Sequence, residues 1–323
     1  MLILAGDIGG TNTRLCLAKI DQEHPSPITI REEIYPSGND GLLQLVKKFL
    51  GAESVEKACF AVAGPVLNHK CKLTNLPWDE LDAQKLQQDL NIPKVSLIND
   101  FVAVGYNIVL EENKSLMTLQ TGEYLPDAPI AIIGAGTGLG KAFAIPQGNN
   151  YQVFPTEGGH ENFAPYDTLT QELLEYLRVY GIVDVERVVS GPGIVHIFRF
   201  LRDRKFPRED AGNFLAGNDP ALAISEGAEK GNFLCQQTME IFAQIYGAAA
   251  GDMAVSLLPF GGLYMAGNIA VKNAEVIKSG WFMKGFKNKA RVNQSLLEKI
   301  PVHIVLDTLE GVRGAVKYAA FKM

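Results

Sequence analysis

Two short segments constrain this chain more than any others. Residues 2–18 read as an apolar strand (Leu2 to Ala5), a glycine-rich turn (Gly6 to Thr13) and a second strand (Arg14 to Ala18). Residues 130–145 repeat that shape, with Ile130 to Ile133, then Gly134 to Gly140, then Lys141 to Ile145. Individual residues match poorly, so the repetition is one of pattern. It predicts a duplicated architecture with one such unit opening each half. A phosphate chain needs several backbone N–H groups aimed at it, and residues without a Cβ let the main chain come that close. Gly6-Asp7-Ile8-Gly9-Gly10-Thr11-Asn12-Thr13 supplies three glycines with hydroxyl and amide donors, and Gly134-Ala135-Gly136-Thr137-Gly138-Leu139-Gly140 supplies four and a threonine.

Two common phosphate loops fail on spacing. A P-loop requires G-x-x-x-x-G-K-[ST] opening a helix, but here Gly140-Lys141 is preceded by Ala135 at the first glycine position and followed by Ala142. The dinucleotide pattern G-x-G-x-x-G needs a glycine where Leu139 stands. Both turns run on into strands rather than helices. Asp7 fits a Mg²⁺ site, held through water because magnesium keeps several waters, and the glycine-rich phosphate-type turn around it favours that role over an Asx bond within its own turn.

Further strands are predicted at Ala58–Ala63 and Val95–Ile98, separated by helical spacing of Leu42, Leu45, Val46, Phe49 and Leu50. This alternation is that of an α/β protein. The second half is more helical. Thr168 with Gln171 makes a capping box, Gly181 is a helix stop, and Asn232 to Leu257 is a long apolar helix. A strand at Val302–Leu306 and a helix from about Gly311 close the chain. No low-complexity linker separates the halves, so the boundary is expected at a tight hinge near residues 105–112.

With 323 residues there is room for two ordinary domains. A net charge of −6 with mixed signs disfavours a broad nucleic-acid footprint. None of the four cysteines forms a Cys-x-x-Cys pair, and Cys16 and Cys59 lie in strand-like runs, which suits a reducing compartment. Asp7 interrupts the N-terminal apolar run and Asp252 interrupts Ala248 to Leu258, so neither a signal peptide nor a membrane span is expected. The expectation is a cytoplasmic protein without nucleic-acid or membrane partners, assembled as a homodimer.

Two other segments carry polar groups suited to a ligand. Asn99-Asp100 ends the apolar run Ser96-Leu97-Ile98 and starts a helical pattern, which places both at the C-terminal edge of a sheet. A ligand pair and a helix N-cap explain this segment equally well. Pro155-Thr156-Glu157-Gly158-Gly159-His160-Glu161 gathers two carboxylates and an imidazole, groups that bind sugar hydroxyls because each hydroxyl is both donor and acceptor. A lone histidine is more often structural, but the glycines and paired acids favour a functional loop. A zinc site of the H-E-x-x-H type is excluded by the order Glu-Gly-Gly-His.

Together these motifs resemble, along essentially the whole chain, the bacterial glucokinases of the hexokinase branch of the actin-like ATPases. Gly6 to Arg14 resembles that family's first phosphate motif, Gly134 to Lys141 its second, and Gly261-Gly262-Leu263-Tyr264-Met265-Ala266-Gly267 its adenosine motif. The resemblance implies a two-domain actin-like (ribonuclease H-like) α/β fold with a central cleft. Its domains would be 1–108, with a C-terminal helix at about 308–323 packing back on it, and 109–307. It implies ATP and Mg²⁺ as cofactors and a hexose, glucose first, as substrate. Asp100 corresponds to the general base, and Asn75, Asn99, Glu157, His160 and Glu186 to sugar contacts. Gly6, Asp7, Gly9, Gly10, Thr11, Asn12, Gly136, Thr137, Gly138, Gly261, Gly262 and Gly267 correspond to nucleotide contacts. Asn268 stands where that family often has a second glycine, and no cysteine follows His160 before Cys235, which disfavours the zinc-containing branch. The alternatives are a kinase for mannose, fructose or an N-acetylhexosamine, and a sugar-sensing repressor, for which the first hairpin at residue 6 leaves no DNA-reading module.

Overall fold

A computed structural model describes residues 1–21, 26–38, 40–73, 76–111, 114–148, 150–209, 212–289 and 294–323. The chain forms two compact units. One comprises Met1–Lys114, Val153–Pro155 and Leu309–Met323, the other Ser115–Gln152 and Thr156–Thr308.

The first unit is built on strands β1 (Leu2–Ile8), β2 (Asn12–Lys19), β3 (Ile28–Pro36), β4 (Lys57–Val62), β5 (Lys70–Cys71), β6 (Leu81–Asp82) and β7 (Lys94–Asn99). Five of them form a sheet in the order β3-β2-β1-β4-β7, while β5 and β6 pair separately. β1, β2 and β3 form an antiparallel meander, and β4 and β7 add in parallel to β1. β1 and β4 are buried on both faces, which is why they read as continuous apolar runs. The helix Gly41–Leu50 buries Leu42, Leu45, Val46, Phe49 and Leu50, the residues its spacing marked, against one side of the sheet. The helices Asp100–Leu110 and Glu310–Phe321 pack together on the sheet. Their contact is close: a methyl group at Gly314 would overlap the Ala103 carbonyl.

The second unit contains β8 (Leu116–Gln120), β9 (Ile130–Ala135), β10 (Leu139–Gln147), β11 (Asn150–Thr156), β12 (Leu263–Ala266) and β13 (Val302–Val305), ordered β11-β10-β9-β12-β13-β8. β9 and β10 are antiparallel, whereas β12 and β13 continue in parallel from β9. The first five strands therefore repeat the order of the other unit, and β8 is an added antiparallel edge. The helix Phe233–Leu257 starts at Asn232, whose side chain accepts from the Cys235 N–H at 3.0 Å. Every residue from Ile245 to Gly251 in it is buried. That burial, rather than a bilayer, accounts for its apolar composition, and among the described residues no helix is long and apolar enough to cross a membrane.

Three local expectations need correction. Residues 105–110 belong to the continuous helix Asp100–Leu110, in which Val102, Ala103, Val104, Gly105, Tyr106 and Ile108 are buried, so the unit boundary does not fall within this stretch. Residue 112 lies outside the described residues, and the boundary between the units falls at Lys114 and Ser115. The capping box is Asp167 with Thr170, one residue before the expected pair, because the Asp167 carboxylate accepts from the Thr170 N–H at 2.8 Å. That helix stops at Leu177, and Gly181, at φ +90°, ends a following 3-10 turn.

Candidate active site

In the first unit the glycine turn is tighter than its composition suggests. β1 continues through Ile8 and β2 resumes at Asn12, with Gly9 N–H donating to the Asn12 carbonyl at 3.0 Å. Gly6 is thus inside a strand, where an added Cβ would come within 2.7 Å of the Phe60 ring, while Gly10, Thr11 and Asn12 are exposed at the tip. The buried Thr13 and Ser37 hydroxyls share a hydrogen bond of 2.8 Å, and the Ser37 N–H donates to the Thr11 carbonyl at 2.8 Å. The tip is therefore fixed by Ser37, the residue that follows β3.

Asp7 is in β1, paired with Arg14 across the hairpin. Burial pushes its carboxyl above the ordinary carboxylate range, while the Arg14 guanidinium pulls the other way. Its carboxylate lies against the first turn of the helix Glu310–Phe321; a Cβ at Gly311 would stand 2.7 Å from Asp7 Oδ2. Among the described residues there is no group of three metal-ligating side chains. One carboxylate in a space kept open by a glycine fits Mg²⁺, which takes few protein ligands and fills its octahedron with water and phosphate oxygens.

Asn99 ends β7 and caps the helix Asp100–Leu110. Its Oδ1 accepts from the Phe101 and Val102 N–H groups at 3.0 and 3.3 Å, and its Nδ2 donates to the Gly64 carbonyl at 3.2 Å. Asp100 is the first helical residue rather than the cap, and its Oδ1 accepts from the Phe101 N–H at 2.9 Å. The two readings of this segment thus divide between its residues: Asn99 performs the capping, and Asp100 does not serve as the N-cap. Asn75 lies outside the described residues.

In the second unit, residues far apart in sequence converge on the turn between β9 and β10. Gly136, Thr137 and Gly138 form its tip, with the Gly136 N–H donating to the Gly138 carbonyl at 2.8 Å. The Gly136 carbonyl accepts from the Gly191 N–H at 2.8 Å, at the start of the helix Gly191–Phe200, which Ser190 caps through the Gly193 N–H at 3.0 Å. Glu186 packs on the tip: its Oε2 accepts from the Leu139 N–H at 2.8 Å, and a methyl at Gly138 would overlap its carboxylate.

The loop Glu157–Glu161 lies against the same turn. Gly159 admits no side chain, because a Cβ there would overlap the Leu139 carbonyl. Lys141, with 5% of its side chain exposed, reaches the Glu161 carboxylate at 2.7 Å. The backbone of 183–186 binds this loop: Phe163 N–H donates to the Val183 carbonyl, Val185 N–H to Glu161 and Glu186 N–H to Gly159, all at 2.8–2.9 Å. His160 Nδ1 meets Asp184 Oδ2 at 2.9 Å. That hydrogen bond, reinforced by the Glu186 and Glu157 charges and opposed by burial, raises the imidazole above its ordinary 6.5. Glu157, His160 and Glu186 are therefore gathered within one unit beside a phosphate-type hairpin. Lys141 and Asp184 belong to the same cluster and were not singled out from the sequence.

The adenosine-type segment divides in two. Gly267, at φ +87°, follows β12 and abuts the end of β9, since a Cβ there would lie 3.2 Å from the Ala135 carbonyl. Gly261 and Gly262 precede β12, where Gly261 N–H donates to the Pro129 carbonyl at 3.0 Å. A four-residue strand, roughly 13 Å at about 3.3 Å per residue, separates them from Gly267 and the hairpin tip.

Two units with the same five-strand order, each opened by a glycine hairpin, define the actin-like ATPase fold. The glucokinase family model matches residues 4–322. The curated glucokinase of Nostoc sp. is 48% identical over 341 residues, covering 99% of each chain, and that of Synechocystis sp. is 44% identical over 348 residues, covering 98% of this chain and 97% of its own. The crystal structure of a glucokinase from an Antarctic psychrotroph superposes with a TM-score of 0.82 at 28% identity, covering 98% of both chains. The chain belongs to the glucokinase family.

Proposed function

We infer that this chain transfers the γ-phosphoryl group of ATP to the 6-hydroxyl of D-glucose. The observation that carries this is full-length similarity, 48% identical across 99% of both chains, to a curated glucokinase. The cluster of Glu157, His160 and Glu186 against the Gly136–Gly138 turn supports it independently, because sugar-binding chemistry and a phosphate hairpin share one scaffold.

Phosphoryl transfer leaves the protein mainly positioning and charge stabilisation. In this reading Asp100, fixed at the start of its helix, orients the sugar hydroxyl and accepts its proton. Asn99 holds the strand-to-helix turn that aims Asp100 and contacts the sugar where its amide is accessible, and Asn75 is a further sugar contact. Glu157, His160 and Glu186 hold the remaining hydroxyls. Backbone N–H groups of Gly9, Gly10, Thr11 and Asn12 in one unit, and of Gly136, Thr137 and Gly138 in the other, receive phosphate oxygens. Gly267 leaves room for the nucleoside, whereas Gly6, Gly261 and Gly262 serve the packing of β1 and the entry to β12. Asp7 is the residue that would hold Mg²⁺, and the ion would supply neutralisation of phosphate charge there. The two compact units are proposed as the two domains, and the protein as a cytoplasmic homodimer.

A coupled assay over glucose, mannose, fructose and N-acetylhexosamines, each with ATP, ADP and polyphosphate, tests the reading. Glucose with ATP is expected to give the highest kcat/KM. A chain that prefers another hexose by tenfold, or another donor, would overturn it.

A further inference from the structure

The pairing of His160 with Asp184 has a chemical consequence beyond holding a loop in place. Asp184 Oδ2 faces His160 Nδ1 at 2.9 Å, and Asp184 Oδ1 accepts from the Arg187 N–H at 3.0 Å. The carboxylate is thus held from both oxygens. It is anchored further by the backbone bonds from 183–186 to the 159–163 segment. An ionised carboxylate has no hydrogen to give, so the hydrogen in the His160–Asp184 bond is carried by Nδ1. A neutral ring in this geometry bears its lone pair on Nε2. The His160 side chain is 57% exposed, so the ring remains accessible to a ligand.

We propose that Asp184 is a positioning residue for the sugar site: it fixes His160 in the Nδ1–H form, so that Nε2 accepts from a sugar hydroxyl when the ring is neutral and donates to one when it is charged. The proposal rests on the sugar-kinase reading for its ligand, but not for its tautomer. A hydroxyl group can answer either state, since it is both donor and acceptor. The pair therefore keeps a sugar contact across the histidine titration, where a ring free to choose its tautomer would lose it in part. The same logic operates in serine proteases, where an aspartate sets the tautomer of the catalytic histidine and its replacement by asparagine yields the wrong one.

The charged groups facing the ring are Asp184, Glu186 and Glu157, all acidic. Because they raise the folded-state value, the stabilisation from this pair is fully present below the ordinary 6.5 and is lost as pH rises through the raised value. Asp184→Asn removes the largest of these influences, so the His160 midpoint falls, and the amide frees the neutral ring to carry its proton on Nε2.

The test is ¹⁵N NMR of His160 in the full-length chain without sugar, with glucose KM and kcat measured across the same pH range. In the wild-type protein above the midpoint, a protonated Nδ1 and a bare Nε2 are expected. For Asp184→Asn, the midpoint moves down and KM rises about tenfold above it, the worth of one misplaced hydrogen bond, with the change in KM rather than kcat. In a His160→Ala background the same substitution should change KM no further. A wild-type neutral ring protonated on Nε2, an unmoved midpoint in Asp184→Asn, or a KM effect that persists without His160 would each overturn the proposal. The wild-type spectrum decides even if the variant does not fold. Absence of glucose phosphorylation by wild-type protein would instead remove the functional reading while leaving the tautomer result standing.

Discussion

Lys141 offers a sharp test of how the loop Glu157–Glu161 is fixed. Its side chain is almost wholly buried at 5% exposure, yet the carboxylate partner of its ammonium, Glu161, is 63% exposed, so the pair joins a buried stem to a wet rim. Removing one partner of a fully buried pair costs about 3–5 kcal/mol, whereas an exposed pair is worth about 0–1 kcal/mol. The rim position of Glu161 lets water reach the ammonium, which places Glu161→Gln between these limits, at roughly 1–2 kcal/mol. Lys141→Met keeps most of the stem volume and leaves no charge to desolvate, so its cost should be smaller than that of Glu161→Gln. At about 2–4 °C per kcal/mol for a unit of this size, calorimetry should place the Glu161→Gln transition roughly 2–8 °C below wild type and Lys141→Met between them. Both variants should raise glucose KM more than they lower kcat, because the pair holds the loop carrying Glu157 and His160. A Lys141→Met protein less stable than Glu161→Gln, or wild-type melting and KM in both, would refute the argument.

Other outcomes are equally specific. Asp100→Asn should lower kcat by about 10²-fold or more while glucose still binds calorimetrically, as expected for a lost general base; full activity, with deamidation excluded by mass spectrometry, would leave Asp100 as a helix-start residue only. Gly138→Ala drives a methyl into the Glu186 carboxylate and should weaken both glucose and ATP, whereas Gly261→Ala, at the far end of β12, should act on stability and spare ATP affinity. Gly311→Ala puts a methyl 2.7 Å from Asp7 Oδ2 and should raise the Mg²⁺ concentration needed for tight nucleotide binding in a titration that does not depend on turnover. Burial raises the Cys59 thiol, so alkylation there should track global unfolding rather than local opening.

What the sequence made legible was short-range and periodic. The strands expected at Ala58–Ala63 and Val95–Ile98 stood out because buried parallel strands leave continuous apolar runs, and they are observed at Lys57–Val62 and Lys94–Asn99; the helix expected at Asn232 to Leu257 stood out by its long apolar run and is observed at Phe233–Leu257. The capping box slipped by one residue because Asp167-Thr168-Leu169-Thr170 offers two adjacent cap candidates, and the reciprocal hydrogen bonds form between Asp167 and Thr170. The family resemblance groups Gly261 and Gly262 with Gly267 in one adenosine motif, and the sequence did not show that the strand Leu263–Ala266 runs between them. Asp184 and Lys141 escaped notice because their partners lie 24 and 20 residues away, on segments with no shared period.

The convergence in the second unit has a topological cause. β9 and β12 are parallel with Ala266 opposite Gly134, so the turn after one and Gly267 after the other emerge at the same edge. The carboxyl ends of parallel strands are where backbone N–H groups, helix starts and loop side chains meet with the sheet's own hydrogen bonds already satisfied. Here the helix start at Gly191 takes up the Gly136 carbonyl, and Glu186, just before that helix, takes up the Leu139 N–H. The same short stretch, Asp184 to Gly191, therefore fixes the hairpin tip at both flanks and orients His160. Because one stretch serves both the turn 136–138 and the loop Glu157–Glu161, separating KM from kcat, rather than loss of activity alone, is the informative measurement at its positions.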